Sequence, residues 1–180
     1  MISRTYPPQF WTYPETEIRP SPIVGKGVFA LRGFEAGEVI EIVGGVVMTD
    51  SEFETFCATV ERFNAIQIDE NRHLVEGVNV TQQRDGSINH SCDSNLWMAD
   101  ENTVITRRSI AAGEELTVDY ALFTASPDWC MSPCLCGSPH CRHVITGSDW
   151  RKRDVQTRYR GHFSPFLNRR IESLGPEEVG

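Results

Sequence analysis

Asn89-His90-Ser91-Cys92 sets an amide, an imidazole and a thiol within four residues. Near the other end of the chain, Cys134-Leu135-Cys136 and Cys141 make a compact CxCxxxxC cluster. Structural zinc takes four ligands at the corners of a tetrahedron. Three thiols from the cluster and a fourth from Cys92 complete that set, and they pin the tail against the segment carrying Asn89 and His90. Asn supplies a carbonyl and an amide, and His supplies two ring nitrogens, so the pair suits a polar cofactor. The niche between these segments is the expected seat of function. A self-contained site of Cys130, Cys134, Cys136 and Cys141 is the rival, with His140 and His143 as further ligands. Cys92 is favoured because a bridged site explains how the tail closes the niche.

The rest of the chain bears on which chemistry such a niche serves. At 180 residues it fits one domain with appendages and can bury a core. No apolar run is long enough to cross a bilayer. The opening Met1-Ile2-Ser3-Arg4-Thr5-Tyr6-Pro7-Pro8 lacks the basic-then-apolar design of a secretion signal. A soluble, intracellular protein is expected, cytoplasmic with the nucleus left open. There thiols stay reduced, and clustered cysteines mean metal more often than disulfide. Cys134 and Cys136, one residue apart, are also poorly placed to pair with each other. The net charge of -8 is uneven: residues 1–147 hold 10 Lys+Arg against 20 Asp+Glu, and residues 148–180 hold 7 against 5. An acidic body disfavours nucleic acid and favours a basic partner such as a lysine-bearing protein or peptide, though it also serves solubility.

Along the chain, residues 1–20 read as an arm rich in Pro and aromatics, packed on the domain. Ile23 to Ala30 is a strand pattern interrupted by Gly25 and Gly27. Phe34-Glu35-Ala36-Gly37-Glu38 reads as a turn, Val39 to Val43 as a strand, and Gly44-Gly45 as a bend before Val46-Val47-Met48. Residues 50–62 read as the one helix of the body. Thr49 and Glu52 suit a capping box, and Phe53, Phe56, Cys57 and Val60 share one face. Cys57 reads as a small core residue. Strands follow at Ala65-Ile68, His73-Val75, Thr103-Thr106 and Glu115-Val118, with His73 read as structural. In the tail, Ser148 is expected to cap a helix carrying Val155 and Tyr159 that stops at Gly161. A second helix begins at Ser164-Pro165 with stripe Phe166, Leu167, Ile171 and Leu174, and ends at Gly175-Pro176. Arg151, Lys152, Arg153, Arg158 and Arg160 read as a solvated basic face.

Taken in order, Gly25-Lys26-Gly27-Val28-Phe29-Ala30, Phe34 to Ile40, Ile88-Asn89-His90-Ser91-Cys92-Asp93-Ser94-Asn95, Gly113 to Tyr120, and Cys134 through Arg142 resemble the motifs of the SET domain of protein-lysine methyltransferases, with its post-SET zinc module. Each motif is loose alone; five in the right order, across about residues 21–146, are specific. The resemblance implies a mainly β fold: small β-sheets with a pseudoknot, one inserted helix, a zinc-binding post-SET segment and a C-terminal helical tail. It implies boundaries at 1–20 (arm), 21–127 (SET domain), 128–147 (post-SET module) and 148–180 (tail).

It also implies S-adenosylmethionine and zinc as cofactors. The backbone of Gly25, Lys26 and Gly27 would meet the cofactor's methionine end. Asn89 and His90 would hold its amino acid end and adenine, and Leu135 would pack on the adenine. Cys92, Cys134, Cys136 and Cys141 would bind zinc, and Tyr120 would be the catalytic tyrosine. Three features depart from the family: Gly86-Ser87 stand where Arg-Phe is common, Ile42 stands where a tyrosine is common, and Val118 where Phe or Tyr helps set how many methyl groups are added. The aromatic cage is therefore expected to be thinned. The function implied is methyl transfer to a lysine side-chain amine. The alternative is a non-catalytic, zinc-stapled module that binds a partner peptide.

Overall fold

The computed structural model describes residues 5–60, 63–76 and 88–174. Among these, short strands dominate: β1 (Trp11–Thr12), β2 (Thr16–Pro20), β3 (Lys26–Ala30), β4 (Val39–Ile42), β5 (Val46–Met48), β6 (Ala65–Asp69), β7 (Arg72–Val75), β8 (Asn89–His90), β9 (Leu96–Met98), β10 (Thr103–Thr106), β11 (Glu115–Val118), β12 (Cys130–Met131) and β13 (Ile145–Thr146). The helices are α1 (Asp50–Cys57), α2 (Arg153–Arg158) and α3 (Pro165–Ser173). The largest sheet runs β1-β4-β10-β9-β11-β3-β2, with β8 added on β11, and two smaller sheets pair β5-β7-β6 and β12-β13. The mainly β character and the inserted helix agree with the expectation from sequence. One feature of the large sheet positions the site. β8 and β9 both run parallel to β11, with Asn89 opposite Thr117 and His90 opposite Val118, while the remaining pairs are antiparallel. Parallel neighbours require a long connection rather than a hairpin, so residues distant in sequence meet at the ends of β8 and β11.

The arm belongs to this sheet. β2 pairs along the full length of β3, from Thr16 opposite Ala30 to Pro20 opposite Lys26, and β1 pairs with β4. Tyr6, Phe10 and Tyr13 pack against the core. These two arm strands carry no alternating pattern and were not expected from sequence.

Helix α1 has its capping box: the Thr49 hydroxyl accepts from the Glu52 N–H, and the Glu52 carboxylate accepts from the Thr49 N–H at 2.8 Å. It ends at Cys57, short of the expected 62; Val60 lies beyond it, and residues 61 and 62 lie outside the described residues. The apolar face is only half covered, because no residue of α1 is fully buried. Phe53 and Phe56 meet Phe63 edge-on at 5.5 and 5.6 Å, and Phe53 stacks on His73 at 4.3 Å. His73 Nε2 lies 2.8 Å from Asp50 Oδ1, so this histidine is structural, as expected. Cys57 is not the core residue expected. It is half-buried beside a cavity, and burial still pushes its thiol pKa up.

The tail departs from expectation in detail. Ser148 makes no capping bond; a 3-10 turn, Asp149–Arg151, comes first, and α2 starts after Lys152. The second helix starts at Pro165 as expected, although the Ser164 side chain caps nothing, and Gly175-Pro176 lie outside the described residues. The tail is also no appendage. Trp150, Val155, Tyr159, Phe163, Phe166 and Leu167 are buried in the same core as Ile40, Leu74, Leu96 and Leu116. The basic face is partly engaged within the chain: Lys152 pairs with Asp149, and Arg158 donates to the Cys92 carbonyl at 2.8 Å. Beside that contact, the fully buried Tyr159 hydroxyl accepts from the Ser94 N–H at 3.0 Å and donates to the Cys92 carbonyl at 3.3 Å. The tail thus holds the loop that carries Cys92, and packing rather than propensity sustains such short helices.

Candidate functional site

Asn89 and Gly27 build one wall together. Asn89 is buried, and its side-chain amide donates to the carbonyls of Val24 (3.3 Å) and Lys26 (3.2 Å) and to Glu115 Oε1 (2.8 Å). The Glu115 carboxylate also accepts from the Ser21 hydroxyl at 2.8 Å. The amide of Asn89 therefore acts on the glycine turn. Gly25 sits at φ +52°, the left-handed region that favours glycine, with open space where a Cβ would stand. At Gly27 an added methyl would lie 2.1 Å from Glu115 Oε1 and 3.1 Å from the Asn89 amide nitrogen. Gly27→Ala displaces Glu115 Oε1 and with it the bond to Asn89. Losing a bond of about 1.4 kcal/mol is a tenfold change, so we expect S-adenosylmethionine affinity, measured by calorimetry, to fall about tenfold. Unchanged affinity would show that this turn takes no part in holding that molecule.

His90 faces the opposite way. Its Nδ1 accepts from the Tyr120 N–H at 3.2 Å, which leaves the ring proton on Nε2, 3.3 Å from Cys92 Sγ. Burial pushes the His90 pKa down to about 4 against the opposing pull of the Asp119 carboxylate, so the ring is neutral near pH 7. Tyr120 opens a 3-10 turn, Tyr120–Leu122, capped by Asp119 Oδ1, which accepts from the Ala121 N–H at 3.0 Å. Its hydroxyl donates to the Ile88 carbonyl at 3.1 Å. Burial pushes this phenol up to about 12, and the Glu41 carboxylate adds to the shift. Tyr120 is thus a neutral donor at physiological pH.

Tyr120 lines a cavity of about 250 Å3. Val118 lines it too, but the aromatic wall is not bare: Phe10 from the arm, Phe63, Phe123 and Trp129 supply rings. One charged side chain reaches the wall, the buried Glu41, which accepts from the Thr12 hydroxyl at 3.2 Å. Trp129, Phe63 and Ala65 also line a second hollow, and Trp129 lines a third of about 590 Å3 together with Asp50, Glu54, Glu70, Asp128 and Arg170. The three hollows thus have Trp129 as a common wall.

The sulfur atoms of Cys92, Cys134, Cys136 and Cys141 all lie within 4.8 Å of one another. A zinc with bonds of about 2.3 Å sets its sulfurs about 3.8 Å apart, so the group fits such an ion. Cys130 is exposed on β12 and stands outside this group, as do His140 and His143. Burial pushes the Cys92 thiol up, and the Cys134 thiol up to about 11, so thiolates at these two positions call for a cation. Leu135, between two of the cysteines, is 57% exposed. Trp129 packs on the cluster and meets Tyr120 edge-on at 6.1 Å.

Several residues of the site were not singled out from sequence: Glu41, Asp119, Trp129, Arg142 and Asp149. The signal for Glu41 and Asp119 was a lone charge in or beside an apolar strand; Asp149 gave none. Arg142 was visible only as the neighbour of Cys141.

The family model described as SET domain matches residues 25–121. The chain is 35% identical to "Histone-lysine N-methyltransferase ash1" of Drosophila melanogaster, over 65% of this chain and 6% of that protein. It is 33% identical to "Histone-lysine N-methyltransferase, H3 lysine-4 specific" of Mycosarcoma maydis, over 69% of this chain and 9% of that protein. It is 28% identical to "Histone-lysine N-methyltransferase ATX2" of Arabidopsis thaliana, over 75% and 13%. The chain thus spans a small part of the length of these curated relatives. No helix among the described residues is long and apolar enough to cross a membrane.

Proposed function

Because this chain belongs to the SET-domain family, we propose that it transfers methyl groups from S-adenosylmethionine to a lysine side-chain amine of a protein. The observation that supports the reading is the ring-lined cavity at Tyr120, a residue whose backbone is bonded to His90 of the Asn89–His90 strand and whose ring meets Trp129 on the four-thiol cluster. In this reading residues 21–127 form the catalytic domain and 128–147 the zinc module. The backbone of Gly25, Lys26 and Gly27, with Asn89 and His90, holds the cofactor, and Leu135 covers its adenine. Cys92, Cys134, Cys136 and Cys141 hold zinc, which supports an intracellular, reducing location.

When bound, the cofactor supplies an electrophilic methyl group. The chain must deliver a neutral amine to it. Removing the proton of an ordinary lysine, whose pKa is near 10.4, costs roughly 4–5 kcal/mol at neutral pH. Glu41 and the acidic lining draw the ammonium in; exclusion of water and the cofactor's positive sulfur then disfavour the charged form, and the proton leaves to solvent before the amine attacks. The Tyr120 hydroxyl orients the amine, and alignment at near-attack distance is worth roughly 7–11 kcal/mol in favourable cases.

The names of the relatives make histone lysines the first substrates to test, and the acidic lining at Glu54 and Asp128 suits basic peptides. Zinc-loaded protein incubated with labelled S-adenosylmethionine and mixed histones should yield methylated lysines by mass spectrometry. Folded, zinc-loaded protein that binds peptides yet labels none supports the peptide-binding module instead.

A further inference from the structure

Arg142 follows the last cysteine of the cluster and faces two ways. Its backbone N–H donates to Cys92 Sγ at 3.3 Å. Its guanidinium, 7% exposed, forks onto both oxygens of Asp119, at 2.9 Å to Oδ2 and 2.6 Å to Oδ1. Its Nε lies 2.9 Å from Asp149 Oδ2, in the 3-10 turn that opens the tail. Asp119 and Asp149 are both fully buried. Asp149 is shared further with Lys152 Nζ at 3.0 Å and the Thr146 hydroxyl at 3.0 Å. Buried carboxylates are stable only when paired, and a two-pronged guanidinium fixes direction as well as charge.

The consequence lies one residue further on. Asp119 precedes Tyr120 and caps the turn that carries it, while His90 accepts the Tyr120 N–H and sits 3.7 Å from Asp119. The guanidinium holds the cap, the cap holds the turn, and the turn aims the phenol.

We propose that Arg142 is a positioning residue: it ties the four-thiol cluster and the tail to the Tyr120 turn, so that assembly of the cluster orders that turn. Its catalytic meaning rests on the methyl-transfer reading above, but the coupling is readable without turnover. Lysine keeps the charge and loses the fork. Arg142→Lys should bind one zinc per chain and melt cooperatively. Its Ala121, Leu122 and Phe123 amides should exchange about tenfold faster than in the wild type, while β4 and β10 stay protected. Misaligned reacting groups can cost up to about a hundredfold, so kcat should fall roughly tenfold to a hundredfold with the peptide KM within about twofold. Unchanged exchange in this turn, or full kcat in the folded variant, overturns the proposal.

Should Arg142→Lys not fold, the wild type titrated with a chelator gives the same reading. The Tyr120 turn must lose protection before β4 and β10, and uniform loss overturns the coupling. A wild type that shows the coupling yet never labels lysine overturns the methyl-transfer reading alone.

Discussion

Tyr120→Phe should fold, bind zinc and bind S-adenosylmethionine as the wild type does, yet transfer methyl groups about 10²–10³-fold more slowly, the usual loss when one preorganised hydrogen-bonding group at the reacting centre is removed. The fold survives because the hydroxyl makes a single internal bond, to the Ile88 carbonyl. Its loss costs about 0.5–1.5 kcal/mol, a small part of a domain's stability. The phenol's ring contacts, with His90 at 5.2 Å, Phe123 at 5.8 Å and Trp129 at 6.1 Å, remain. Because burial holds this phenol protonated at neutral pH and its one proton goes to the Ile88 carbonyl, the lost function is a hydroxyl oxygen that accepts from the amine N–H, and not proton removal. The wild-type rate should accordingly rise with pH as the substrate amine loses its proton, and Tyr120→Phe should keep that rise at a lower level. A variant as fast as the wild type would take Tyr120 out of the reaction.

The second large effect is expected at the thiols. Cys92→Ser should lose zinc by elemental analysis and melt far below the wild type, whereas Cys130→Ser should keep one zinc per chain and the wild-type melting temperature. Structural zinc contributes about 10–16 kcal/mol of apparent free energy in small zinc-dependent folds, so the loss of one ligand is felt throughout. It is felt here in particular because the Cys92 carbonyl anchors Arg158 and Tyr159, and its sulfur accepts from His90 Nε2 and the Arg142 N–H. Cys130, exposed on a two-residue strand and outside the sulfur group, carries none of these ties. Zinc retained by Cys92→Ser and lost by Cys130→Ser would reverse the ligand set.

Much of this architecture is legible in local chemistry. The capping box at Thr49 and Glu52, the proline that opens α3 and the alternating strands β4, β6, β10 and β11 each follow from a few adjacent residues. So does the CxCxxxxC spacing, which brings three thiols together whatever surrounds them. The errors fall where the local signal and the packing disagree. Ser148 has the chemistry of a cap, but the Thr146 hydroxyl accepts from its N–H, and Asp149 starts a tighter turn. Cys57 has the composition of a core residue, but α1 lies over a hollow, and its apolar face stays half open. The aromatic wall near Tyr120 was expected to be thin because Ile42 and Val118 lack rings. The rings come instead from Phe10, Phe63, Phe123 and Trp129.

Periodicity, capping and cysteine spacing were therefore enough to read most kinds of element and the three clustered thiols from the chain alone, because each depends on residues close in sequence, while the family came from the resemblance of five ordered motifs. The Arg142 fork on Asp119 with its ion pair to Asp149, the entry of Phe10 into the Tyr120 cavity and the seating of the tail in the main core came only with the folded chain. Those arrangements join residues far apart in sequence. Their energy comes from excluding water from paired charges and apolar surface, a collective effect that leaves no mark on any short stretch of residues.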